Sequence, residues 1–198
     1  MNLQSVLLEQ NKQWEGSLEV GIPRDYLAIL KKSVPTGLIE TVTGVRRSGK
    51  STLLFQLINY LIRTKKVPPE NILFVNFEDP AFSLAGSSAA VLEELFSQYQ
   101  ILKNPKGRVY IFWDEIQNIN GWESWVRIKH DLDKSLKIYL TGSNSALLSS
   151  EFGTKLTGRT LTHQLFPFSF KEFLRFMDIK LDPKKLRSKT QALHYLEE

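Results

Sequence analysis

The run GVRRSGKS, from Gly44 to Ser51, constrains this chain more than any other feature. It fits the spacing G-x-x-x-x-G-K-S/T, and Thr52 follows it. The residues before it, LIETVT (Leu38 to Thr43), are apolar and β-branched enough to form a strand. After it, Leu53, Leu54, Leu57, Ile58, Leu61 and Ile62 recur at helical spacing. Strand, glycine-bounded loop and helix together predict an anion cradle built from loop N–H groups and a helix N-terminus. The expected guest is a nucleoside triphosphate.

Each position of that loop has an expected part. Gly44 and Gly49 lack Cβ, so the backbone can adopt positive φ and approach phosphate oxygens. Between them, Val45, Arg46, Arg47 and Ser48 supply loop N–H groups. Lys50 is a point cation for the β- and γ-phosphates, the Ser51 hydroxyl is the expected Mg²⁺ ligand, and Thr52 is an adjacent helper. Arg46 and Arg47 either add charge near the phosphates or are simply solvated at the loop tip.

A second signal is VYIFWDEIQ, an apolar run closed by an Asp-Glu pair. This is the Walker B pattern. A buried strand would deliver Asp114 to the same crevice as the loop, to hold Mg²⁺ directly or through water. Glu115 would polarise a water for in-line attack on the γ-phosphate. At the end of the next strand, Asn144 is expected as a γ-phosphate sensor, with capping of the following helix as its alternative; Ser143 is a cap candidate. Arg159, just before a fifth strand, is expected either as an arginine finger in its own chain or a neighbour's, or as a plain surface arginine. Glu78 and Asp79 end the second strand near the same rim and are read as a solvated loop.

The rest of the chain alternates helix and strand. Residues 3–14 read as an amphipathic helix. A second helix is expected from Pro23, turning Tyr26, Leu27, Ile29 and Leu30 inward. Further strands are expected at 71–79, 108–115, 135–144 and from 159, with helices at 91–102 and around Trp122 and Trp125. Continuous apolar runs such as Ile72 to Val75 suit strands covered on both faces. The expected class is therefore α/β, a mostly parallel sheet with helices on both sides. The two Trp residues are read as packing against the sheet. His130, His163 and His194 lack metal spacing and are read as surface or packing residues.

Composition narrows the function classes. The 198 residues suffice for one sizeable domain, and 42% hydrophobic with 24% charged residues fits an ordinary globular one. Absence of Cys excludes disulfides and thiolate metal sites and fits a reducing, cytoplasmic setting. No apolar run approaches a membrane span and no secretion signal is visible, so no membrane partner is expected. A net charge of +5, spread along the chain, is compatible with nucleic acid and equally with a solvated basic surface.

Taken in order, TGVRRSGKSTLL, NFEDP, DEIQNINGWE, LTGSNSALLSSE, LTGRT and FPFSFKEFL resemble prokaryotic P-loop ATPases of the AAA superfamily. The resemblance is to the additional-strand, catalytic-glutamate branch, near the archaeal and signalling ATPases, and covers about residues 20 to 176. It implies a five-stranded sheet in the order 5-1-4-3-2, ATP with Mg²⁺, and hydrolysis activated by Glu115. The expected organisation is an N-terminal helical segment over 1–36 packed on the core, an ATPase core over 37–177, and the start of a truncated C-terminal region over 178–198. The leading expectation is an ATPase that drives or regulates a partner. The alternatives are a nucleotide-dependent switch with slow hydrolysis, DNA-associated work in mobile elements or defence, and a small-molecule kinase. For the last, no lid segment is visible. A homo-oligomer, a protein partner and DNA all stay open as partners.

Overall fold

The computed structural model describes residues 3–84, 88–143 and 156–179. Its centre is a sheet of five parallel strands: β1 (Ile39–Thr43), β2 (Ile72–Asn76), β3 (Val109–Asp114), β4 (Leu136–Gly142) and β5 (Thr160–Gln164). Their spatial order is β2-β3-β4-β1-β5, with every pairing parallel. This is the expected order, read from the other edge. Parallel strands put all their C-terminal ends on one rim, and the connecting segments must cross over the faces.

Both faces are covered, and the strands show it residue by residue. Val109, Ile111 and Trp113 point into one hydrophobic cluster, while Tyr110 and Phe112 point into the other. The first cluster is closed by α1 (Leu3–Gln10), α5 (Ala90–Lys103) and α6 (Trp122–Leu132). The second is closed by α2 (Leu27–Ser33) and α3 (Lys50–Arg63). A short helix α4 (Pro80–Leu84) follows β2, and α7 (Phe170–Phe176) follows β5. Trp122 and Trp125 are buried, with the Trp125 ring 5.8 Å from that of Trp113. Trp113 itself is sealed from solvent, so truncating it to Ala would cost about 3–5 kcal/mol.

The N-terminal segment protects an edge of this sheet. An outer strand leaves alternate N–H and C=O groups unpaired. On β2, Asn11 Nδ2 donates to Phe74 O (2.9 Å) and Asn11 Oδ1 accepts from Phe74 N (2.8 Å). Gln10 accepts from Asn76 N, and the indole of Trp14 donates to Ile72 O at 2.9 Å. The expected helix over 3–14 therefore breaks into α1 and a short 3-10 turn at Lys12–Glu15, because Asn11 is committed to the strand edge.

The helix expected from Pro23 begins only at Leu27. The backbone N–H groups of Arg24 and Asp25 are taken by side chains, Gln56 Oε1 (2.9 Å) and Glu172 Oε1 (2.8 Å), so this stretch is held as a turn. Leu30 is buried as expected, Tyr26 and Leu27 partly so, and Ile29 faces solvent at 46% exposure.

Candidate nucleotide-binding site

Chain topology sets the location. The loop Gly44–Gly49 leaves the C-terminal end of β1, and α3 starts at Lys50. Two glycines are required there. Gly49 has φ +88°, and a Cβ on it would sit 2.6 Å from a guanidinium nitrogen of Arg24. On Gly44 a Cβ would lie 2.5 Å from the Leu165 carbonyl oxygen. Neither position can carry a side chain without moving the loop.

Asp114 ends β3 and reaches the same rim. Its carboxylate accepts from the Ser51 hydroxyl at 2.6 Å and from the Thr141 hydroxyl on the intervening strand β4. The side chain is fully buried. Burial pushes the Asp114 carboxyl up from its ordinary value, the Ser51 and Thr141 donors only partly oppose this, and neighbouring Glu115 pushes it further up. Lys50 opposes that rise.

Lys50 and Glu115 face each other across this point. Lys50 Nζ lies 3.0 Å from Glu115 Oε1, with side-chain exposures of 5% and 13%. Nζ also donates to the carbonyls of Gly44 (3.3 Å) and Val45 (3.4 Å), which hold the ammonium over the loop. Glu115 adopts a left-handed backbone conformation (φ 53°, ψ 46°), unusual for a residue with a long side chain. Thr141 Oγ1 accepts from its N–H at 2.9 Å, and Gln117 donates to its other carboxylate oxygen at 2.7 Å. Such an outlier at a strand end marks a place where the fold has fixed a side chain's aim.

Around these groups lies a cleft of about 400 Å³ lined by Arg46, Arg47, Lys50, Ser51, Thr52 and Glu78 among others. Arg46 and Glu78 form an exposed pair at 3.4 Å on its rim, which contributes little to stability. Asp79 is not part of it. One Asp79 oxygen accepts from Ala81 N at the start of α4, and the other accepts from Gln10.

The donor set fits a small hard cation. Ser51 Oγ and Asp114 Oδ2 are adjacent oxygens at the cleft floor, and Mg²⁺ is held by one or two protein oxygens plus substrate phosphates and water. No cluster of three or more His, Cys, Asp or Glu suited to a metal exists among the described residues, so an all-protein cage is not what the site offers.

Arg159 is placed elsewhere. It precedes β5, at the opposite end of the sheet: its carbonyl accepts from Ile39 N at the start of β1. Five strand residues, roughly 16 Å, separate it from the loop end. Its guanidinium is forked onto Asp131 at 2.9 and 3.1 Å. Within its own chain Arg159 therefore stands away from the phosphate loop, paired with Asp131. Asn144 and His194 lie outside the described residues, as does most of 178–198. His163 is buried and bonded to Glu40 at 2.6 Å, and His130 Nε2 lies 2.7 Å from the Gly37 carbonyl oxygen.

Two residues of the site escaped the sequence reading. Thr141 lies inside a strand pattern where any β-branched residue is expected. Arg24 is far upstream, yet its buried guanidinium donates to Ser48 O in the loop, to Phe166 O at 2.8 Å and to Glu172 at 2.9 Å. It braces the phosphate loop against the segment after β5.

The sequence is similar to known proteins. A family described as an AAA domain matches residues 37–174. An uncharacterized protein of Methanocaldococcus jannaschii is 36% identical over 161 residues, covering 81% of this chain and 34% of the relative. An uncharacterized Haemophilus influenzae protein is 36% identical over 158 residues, covering 78% of this chain and 38% of its own length. The chain thus spans little more than a third of either relative. No helix among the described residues is long and apolar enough to cross a membrane. With its loop, its acidic strand end and its strand order, the chain belongs to the AAA domain family of nucleotide-binding, ATPase-like P-loop proteins.

Proposed function

We propose that this chain binds ATP with Mg²⁺ and hydrolyses it, and that turnover drives or regulates a partner. The observation that carries the reading is the convergence of Lys50, Ser51, Asp114 and Glu115 at one rim, with Ser51 and Asp114 2.6 Å apart and Lys50 and Glu115 3.0 Å apart. Phosphoryl transfer asks for positioning and charge neutralisation more than covalent help. Ser51 and Asp114 would hold Mg²⁺, which would supply charge neutralisation to the phosphate oxygens. Lys50 supplies a second cation to those oxygens. Glu115 accepts a proton from the attacking water, and Thr141 fixes the strand end that aims it. Arg46 and Arg47 add positive potential at the mouth.

The Lys50–Glu115 ion pair favours one refinement of this reading. Glu115, the proposed proton acceptor, is paired with Lys50, the proposed phosphate-binding cation. Glu115 becomes available only when a terminal phosphate competes for Lys50. This supports a switch-like use of ATP, in which the terminal phosphate breaks the pair.

Phosphate release from ATP tests the proposal. The wild-type chain is expected to release phosphate with Mg²⁺ and to stop on chelation. Lys50→Ala is expected to lose ATP binding. Undiminished ATP affinity in Lys50→Ala would refute the assignment of the loop.

A further inference from the structure

Arg24 is buried, and all three of its guanidinium nitrogens have acceptors. Nε donates to Glu172 Oε1 at 2.9 Å, Nη1 to the Ser48 carbonyl in the phosphate loop, and Nη2 to the Phe166 carbonyl at 2.8 Å. The base of the side chain is fixed as well. Arg24 N–H donates to Gln56 Oε1 on α3 (2.9 Å), and Gln56 Nε2 donates to the carbonyls of Val20 (3.0 Å) and Ile22. Glu172 is in turn locked by its capping box with Ser169 at the start of α7. A planar fork committed to separate partners has one orientation, which the point charge of a lysine could not reproduce.

Ser48 C=O and Gly49 N–H belong to one trans peptide unit, so they point in opposite directions. With the Ser48 oxygen on Arg24, the Gly49 N–H faces away from Arg24. None of the loop's backbone hydrogen bonds among the described residues uses that N–H. The N–H groups of Ser48 and Leu53, by contrast, are satisfied locally by the carbonyls of Val45 (3.2 Å) and Gly49 (2.9 Å). Gly49 lines the same cleft as Lys50 and Ser51. A charged donor on the Ser48 carbonyl also polarises the peptide unit and strengthens its N–H as a donor.

We propose that Arg24 is a positioning residue for phosphate: it grips the loop at the Ser48 carbonyl and so aims the Gly49 N–H at the phosphate chain of the nucleotide. The inference rests on the reading that the Gly44–Thr52 loop takes the phosphates. Arg24 acts here through Gly49 and not by contact with the ligand. Its charge is balanced by Glu172, so what it contributes is direction more than net positive potential. The same grip accounts for the glycine. At φ +88° the space a Cβ would need is taken by Arg24 Nη1, 2.6 Å away, so the guanidinium packs directly on the backbone it orients.

Amide NMR spectra of the isotope-labelled chain, titrated with inorganic tripolyphosphate and Mg²⁺, test this on the wild type. The Gly49 amide proton should move downfield as it gains an anionic acceptor. Calorimetry with the same ligand supplies affinities. Arg24→Met and Arg24→Lys should each weaken tripolyphosphate by about tenfold and reduce the Gly49 shift, with the folded fraction checked by thermal melts. Arg175→Ala is the packing control: Arg175 donates to Pro23 O (2.7 Å) and to Asp25 (2.9 Å), so it holds the same segment without touching the loop. This half-exposed contact is worth little, and its loss should leave affinity within about twofold of wild type. If Lys50→Ala loses tripolyphosphate binding but the wild-type Gly49 amide does not respond to it, the proposal falls while the phosphate reading stands. Wild-type affinity in Arg24→Lys has the same meaning. Equal weakening by Arg175→Ala overturns the proposal too, because packing of the segment is then what matters. If Arg24→Met fails to fold, the wild-type spectra and Arg24→Lys decide. If Lys50→Ala leaves tripolyphosphate affinity intact, the underlying phosphate reading fails and the proposal with it.

Discussion

Lys50 Nζ and Glu115 Oε1 are 3.0 Å apart, in a pocket where both side chains are nearly sealed from water. One is the expected phosphate cation and the other the expected proton acceptor, so each holds the other in reserve. Replacing Glu115 by Gln removes the charge that competes with phosphate for Lys50. Glu115→Gln is therefore expected to bind Mg·ATP several-fold more tightly than wild type, by calorimetry. Weaker binding would mean that Glu115 supports the bound nucleotide and does not oppose it.

Burial, and then the neighbouring Glu115, hold the buried Asp114 carboxyl above its ordinary value. Asp114→Asn keeps the shape and removes the charge, but its amide nitrogen can no longer accept from one of the two hydroxyls, Ser51 and Thr141, that Asp114 accepts from. It is expected to raise the Mg²⁺ concentration needed for half-maximal turnover by tenfold or more, while nucleotide binding without metal changes little. A titration of phosphate release against Mg²⁺ checks this. Identical metal dependence in the variant would exclude Asp114 as a metal-holding group.

Thr141 joins the two acids: its hydroxyl donates to Asp114 and accepts from the N–H of Glu115. Thr141→Val is nearly isosteric but leaves both groups short of a buried partner, at a cost of about 1–3 kcal/mol. Urea denaturation should show the loss, and turnover should fall more than ATP affinity does. Equal loss of both would make Thr141 a purely structural residue.

How far the sequence disclosed this arrangement differs from residue to residue. The strands were legible because residues such as Ile72 to Val75 must be apolar on both sides when helices cover both faces. The loop, Asp114 and Glu115 were legible because a strand end and a helix start fix their spacing. Arg159 stands before β5, at the end of the sheet away from the phosphate loop. A residue that precedes a parallel strand lies opposite the rim where these loops meet, so the signal was present. Arg24 and Thr141 act through tertiary contacts, across 148 positions in the pairing of Arg24 with Glu172, and no local pattern announces such a contact. Ile29 turned outward because the preceding turn is shaped by Gln56 and Glu172 and not by helix periodicity.

The Arg24–Glu172 pair makes stability depend on pH. Burial pushes Glu172 up, but the N–H groups of Ser169 and Asp25 and the Arg24 guanidinium outweigh this and hold its pKa at about 2, below the ordinary 4.5. A depressed carboxyl stabilises the fold above its unfolded value and loses that contribution as pH falls toward the folded value. Wild type should therefore exceed Glu172→Gln in stability at pH 7, by about 3 kcal/mol, because the buried Arg24 loses its carboxylate partner. The gap should narrow steadily from pH 5 to pH 3 in urea titrations. A gap independent of pH would contradict a charged Glu172.

In the proposed reaction one rim of the sheet both holds a terminal phosphate and aims a water at it through Glu115. Single-turnover conversion of radiolabelled ATP by wild type and Glu115→Gln, with the fraction bound measured in the same samples, tests it most directly. The expected result is ADP formation by wild type, and intact, bound ATP in Glu115→Gln with a rate lower by about 10²–10⁴. ADP appearing in the variant at the wild-type rate would contradict the claim.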